Sequence, residues 1–90
     1  MEGAEKEEIM ERCAEMLEKH MRDITVPKKI RKSVNRVKYK LLNGNESRAV
    51  RATAVISDLE VLTTNPNIPS HTRTLVWSIV SQLETVSVEE

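Results

Sequence analysis

The chain has 90 residues, 39% of them hydrophobic and 31% charged, with fourteen basic and fourteen acidic side chains and a formal net charge of zero. That balance excludes a disordered polar chain, and no apolar run approaches the ~20 residues that a membrane span requires. One cysteine, Cys13, excludes an internal disulfide, and the acidic start lacks the apolar centre of a signal peptide, so a reducing cytoplasmic setting and no membrane partner are expected.

Few glycines, many Glu, Lys, Arg and Leu, and only two aromatics (Tyr39 and Trp77) predict an all-helical fold around an aliphatic core. Four segments carry that pattern. In the first, about 4–21, Ile9, Cys13, Met16, Leu17, His20 and, just beyond, Ile24 recur at three- and four-residue steps. The second, about 26–42, has the stripe Ile30, Val34, Val37, Leu41, and Asn43-Gly44 supply a left-handed end. The third follows Asn45, a good cap, and runs to about 62. The fourth spans about 68–86. No segment alternates with period two for long enough to make a strand.

The second and fourth segments begin alike. Val26-Pro27 leads to Arg31 and Ile68-Pro69 leads to Arg73, with Thr25 and Asn67 as the expected caps. At the same offset of 42 residues Leu17 falls on Leu59, Glu18 on Glu60, Asp23 on Asn65, Val34 on Val76, Val37 on Ile79 and Leu41 on Leu83. This predicts an internal repeat of two helical hairpins, about 4–42 and 46–86, with a HEAT-like period. Two units are too few for an open solenoid, so a compact four-helix bundle forming a single domain over 1–90 is expected.

The stretch from Asp23 to Leu83 adds a resemblance. It carries Thr25-Val26-Pro27, Ile30-Arg31, Ala49-Val50-Arg51-Ala52, then Asn65-Pro66-Asn67-Ile68-Pro69, Arg73-Thr74-Leu75 and Trp77. It resembles a family of short, functionally uncharacterised archaeal helical proteins of the UPF series. The resemblance implies an archaeal cytosolic helical protein and brings no catalytic residues.

Catalysis needs a nucleophile, a base and an orienting group, or a metal. His20 and His71 are the only histidines; His20 lies on the apolar face and His71 in an exposed first turn. Cys13, Met16 and His20 share a helix face and are soft ligands, but the paired spacing of a zinc site is missing, so they read as packing. No catalytic residue, metal or cofactor is expected, and the chain is not read as an enzyme.

Charge is segregated. Residues 28–51 hold nine bases and one acid, Glu46, while 1–23 hold eight acids and four bases. At ~100° per residue Lys28, Lys32, Arg36 and Tyr39 fall opposite the apolar stripe of the second helix, a face that fits phosphates with one aromatic for stacking. A pI of 6.7 is low for a dedicated nucleic-acid binder. The third helix carries a second apolar stripe, Val50, Ala54 and Val61, and Trp77 stands at the edge of the fourth helix's apolar arc. The favoured function is therefore a non-enzymatic protein-binding or assembly module, engaging a protein partner or a second copy through Val50, Ala54, Val61 and Trp77. The alternative is an RNA- or DNA-contacting protein using the basic face.

Overall fold

In each helix one apolar stripe becomes the buried side, while Val50 and Val61 of the third helix's second stripe stay exposed. The structure is a computed structural model that describes residues 2–88; Met1, Glu89 and Glu90 lie outside the described residues. The helices are α1 (Gly3–Met21), α2 (Lys28–Leu42), α3 (Arg48–Leu62) and α4 (Ser70–Ser87), with no strand among the described residues. Met10, Cys13 and Leu17 of α1 meet Ile30, Val34 and Leu41 of α2, Val55 and Leu59 of α3, and Val76, Ile79 and Leu83 of α4 in one aliphatic core.

The helix starts differ from expectation in a consistent way. Helices α2 and α4 begin after Pro27 and Pro69, not at Val26 and Ile68, and neither Thr25 nor Asn67 is a cap. The residue before a proline is sterically kept from helical geometry, so Val26 and Ile68 stay outside the helix and are buried as plugs instead. Two side-chain carbonyl groups build the corner before each plug. Thr25 donates its N–H (2.9 Å) and its hydroxyl (2.6 Å) to Asp23 Oδ1, and Asn67 donates its N–H to Asn65 Oδ1 (2.9 Å). The backbone repeats as well. Val26 N–H reaches the Asp23 carbonyl and Ile68 N–H the Asn65 carbonyl, both at 3.2 Å, and the carbonyls of Pro27 and Pro69 accept from Arg31 and Arg73, both at 3.0 Å.

The connection between the hairpins also corrects two expectations. Ser47, not Asn45, caps α3; its Oγ accepts from Val50 N–H at 3.2 Å, which satisfies one of the unpaired first-turn amides. Asn43 leaves α2 in an extended conformation, and Gly44 alone takes a positive φ, 135°. A Cβ there would approach a carboxylate oxygen of Glu46 to 2.8 Å, which the exposed Glu46 side chain can yield, so it is the positive φ that favours glycine.

The helices close into a ring: α1 packs on α2 and α4, α3 packs on α2 and α4, and α1 also reaches α3 across the centre. Among the described residues α2 and α4 do not meet. In this pairing α1 on α4 is matched by α3 on α2. The packing is that of a compact four-helix bundle. Side chains reinforce the ring at its edges. Lys38 pairs with Glu18 (2.5 Å), Lys40 with Asp58 (2.9 Å) and Arg48 with Glu7 (2.6 Å), while Arg73 donates to the Thr63 carbonyl (2.6 Å).

Candidate functional site

The basic face of α2 is open. Lys28, Lys32, Arg36 and Tyr39 are all exposed, Tyr39 to 68%. Helix α1 neutralises one residue beside that face: Lys38 binds Glu18 and thereby holds the Glu18 carboxyl below its usual range. Asp58 of α3 takes Lys40. Among the described residues no acidic side chain pairs with Lys28, Lys29, Lys32 or Arg36. The first turn of α2 contains no acid either, so Lys28 and Lys29 sit at the positive end of the helix dipole, where cations are disfavoured. Arg31, on the flank, has a buried Nε without a hydrogen-bond partner.

The four apolar candidates are dispersed. Val50 and Ala54 line a shallow groove near Ser87 at the end of α4. Val61, 67% exposed, lines a separate groove with Val37, Arg36 and Lys40 of α2. Exposed Ser57 falls between them on the same outward side of α3. Trp77 is 48% exposed. Arg73, one turn before it, reaches α3, which puts Trp77 near the α3 side of α4.

The structure adds a third cluster that helix periodicity does not predict. His20 ends α1, Asp23 builds the corner after it, and His71 lies in the first turn of α4. His20 is 9% exposed, and its Nε2 lies 2.6 Å from Oγ1 of the fully buried Thr72. His71 Nε2 lies 3.0 Å from Asp23 Oδ2, and the two imidazoles stand 5.2 Å apart between centroids. Burial, and secondly the neighbouring His71, push His20 below the usual histidine range, so its ring is neutral at neutral pH. Hydrogen bonds from Thr25, more than His71, pull the Asp23 carboxyl down.

Two members of the soft-ligand set read from helix spacing, Cys13 and Met16, are taken up in packing. Cys13 is fully buried and desolvation pushes its thiol up to about 11, while Met16 Sδ accepts from Gln82 Nε2 at 3.7 Å. The sequence holds one signal for the cluster that does form. His20 and Asp23 are three residues apart at a helix end, and ring closure brings the start of α4 beside them.

The profile of UPF0147, an uncharacterised protein family, matches residues 1–86. The chain belongs to the UPF0147 family. A UPF0147 protein of Methanosarcina mazei is 42% identical over 90 residues, covering all of this chain and 97% of the relative. One from Archaeoglobus fulgidus is 39% identical over 80 residues, covering 89% of this chain and 91% of the relative. Two crystal structures share the fold at 36% identity. Protein MMP1188, of unknown function, superposes with a TM-score of 0.84 over all of this chain and 97% of its own. The UPF0147 protein of Thermoplasma acidophilum gives 0.82 over 91% of this chain and 96% of its own. UPF0147 relatives thus span archaea of several lineages, and among the described residues no helix is long and apolar enough to cross a membrane.

Proposed function

We propose that this protein is a non-enzymatic binding module that contacts RNA or DNA through the outer face of α2. The observation that carries this reading is the unbroken exposed run Lys28, Lys32, Arg36 and Tyr39, whose cations have no acidic partner among the described residues. Unpaired cations on a rigid helix gather phosphates by releasing condensed counterions, and an exposed tyrosine adds stacking on an unpaired base. Lysines at the positive end of a helix dipole cost stability, and a local rule broken without compensation points to function. The near-neutral pI does not oppose this, because the acids lie chiefly on α1 and at the chain end while the basic face stays continuous. Within this reading the chain is one cytoplasmic domain over 1–90, built as a duplicated hairpin.

The test is binding of labelled RNA across roughly 50 to 200 mM salt, where three phosphate contacts give a slope of about −2 to −3 in log affinity against log salt. Replacing Lys28, Lys32 and Arg36 by Ala abolishes binding and flattens the slope. No binding of wild type at the lowest salt sinks the reading.

A protein partner, or a second copy, is the second reading, favoured by the half-exposed Trp77 and by Val50, Ala54 and Val61. Tryptophan anchors interfaces well. It ranks second because the apolar residues are split between two grooves, whereas the basic residues follow one helix face. Sedimentation equilibrium decides: Trp77→Ala lowers the oligomer fraction if this surface associates, and a wild-type monomer at all concentrations excludes the second copy.

A further inference from the structure

The His20, Asp23 and His71 cluster is more than its corner of the fold needs. The equivalent corner, 42 residues away, supplies the control. There Leu62 stands for His20, Asn65 for Asp23, Ile30 for Thr72 and Lys29 for His71. Asn65 makes the same side-chain turn with its neutral carboxamide that Asp23 makes with its carboxylate. Leu62 and Ile30 fill the buried positions with apolar groups. The corner therefore requires one carbonyl-type acceptor and two apolar side chains. The first corner instead carries a carboxylate, two imidazoles and a buried hydroxyl, whose desolvation must be offset by pairing.

We propose that His20, Asp23 and His71 bind a divalent transition-metal ion of the zinc class, with water completing the coordination. The three residues offer one ligand atom each, and these atoms lie within 4.8 Å of one another. Ligands at ~2.0–2.2 Å from a central ion sit about 3.3–4.4 Å apart, so a small inward movement of the exposed His71 closes the site. The donor set, two imidazoles and one carboxylate, suits zinc, ferrous iron or cobalt and not calcium or magnesium. The atoms are already divided for it. Asp23 Oδ1 is spent on Thr25, leaving Oδ2 on the His71 side. Thr72 fixes the His20 ring from the core, the kind of support that metal-binding histidines use. Met16, Lys19 and Leu75 border the groove of about 270 Å³ through which His20 and Asp23 are reached. Bound there, the ion ties the first hairpin's corner to the opening turn of α4. This site stands apart from the polyanion reading, since neither set of variants touches the other's residues.

The experiment is calorimetric titration of the chelator-treated chain with zinc, paired with thermal melts in zinc and in EDTA. Wild type is expected to take one equivalent with a dissociation constant below about 10 μM and to melt higher in zinc. Asp23→Asn keeps the turn as Asn65 does, and His71→Gln changes an exposed residue; each is expected to weaken zinc binding at least 10-fold and to abolish the rise in Tm, with an unchanged helical spectrum. A wild-type constant weaker than about 1 mM overturns the proposal. So does zinc binding that both variants retain at wild-type strength, since the ion then sits elsewhere.

Discussion

Helices α2 and α4 occupy opposite places in the ring, begin after the same corner and bury the same register. Val34 and Val76, Val37 and Ile79, and Leu41 and Leu83 are all core residues. Their outer faces have nothing in common. Where α2 presents Lys28, Lys32, Arg36 and Tyr39, the positions 42 residues on are Ser70, Thr74, Ser78 and Ser81, all exposed. The corners that lead into the helices differ in the same manner, with histidines and a carboxylate in one and Leu62, Asn65 and Lys29 in the other. Each half thus shows what the other requires for folding. Core stripe, proline and side-chain turn are shared, so they are structural. The cations of α2 and the histidine cluster are unshared.

That comparison breaks first if shared positions prove unequal. Leu17 and Leu59 are both fully buried, and Leu→Ala at either is expected to cost about 3 kcal/mol, read as a lower urea midpoint at unchanged m. A cost at one site and none at the other would show that the halves do not carry stability alike.

A second test makes the first corner resemble the second. The His20 pKa lies below its unfolded value of about 6.5, so the unfolded chain binds the proton more readily. The stability tied to neutral His20 is present above pH ~6.5 and is lost as pH falls through the lower folded value. Asp23 and His71 face His20 and Lys19 borders the same groove, so the histidine part is isolated by mutation. The double variant His20→Leu, Thr72→Val, which copies the apolar character of Leu62 and Ile30, is expected to fold at least as well at pH 7 and to melt with a shallower pH dependence between about 7.5 and 5.5. An unchanged pH profile would remove His20 as its source.

Smaller effects sharpen the picture. Asn65→Ala removes a turn acceptor and is expected to cost about 1 kcal/mol, while Asp23→Asn should leave the turn's contribution in place. Chemical denaturation of the two variants checks this. Lys40→Met breaks the half-exposed pair with Asp58 and should change stability by no more than ~0.5 kcal/mol.

Much of this is legible in the sequence, and for physical reasons. Helix type, core stripes and the two alike corners follow from three- and four-residue apolar spacing and from Pro27 and Pro69, which act locally. The helix starts are harder to read because Asp23 and Asn65 fold the chain back on itself before the prolines, and a side-chain acceptor two residues upstream competes with any cap at Thr25 or Asn67. Periodicity places the basic face on α2, but whether α1 covers it depends on packing; among the described residues α1 pairs with Lys38, at the edge of that face. The cluster of His20, Asp23 and His71 depends on ring closure between residues about 50 positions apart, which no local pattern encodes. The second apolar stripe of α3 does lie on its outer side, yet its division between two grooves depends on where α2 and α4 lie.

In the proposed function the α2 face is a binding surface and its counterpart on α4 is not. The direct measurement compares RNA binding by the wild type with that of a chain in which Lys28, Lys32 and Arg36 are replaced by Ser, Thr and Ser, the residues of α4. The account predicts that wild type binds with affinity falling steeply from about 50 to 200 mM salt, and that the variant folds normally but has lost both the binding and the slope. Equal binding by the two chains, or none by wild type at the lowest salt, would contradict it.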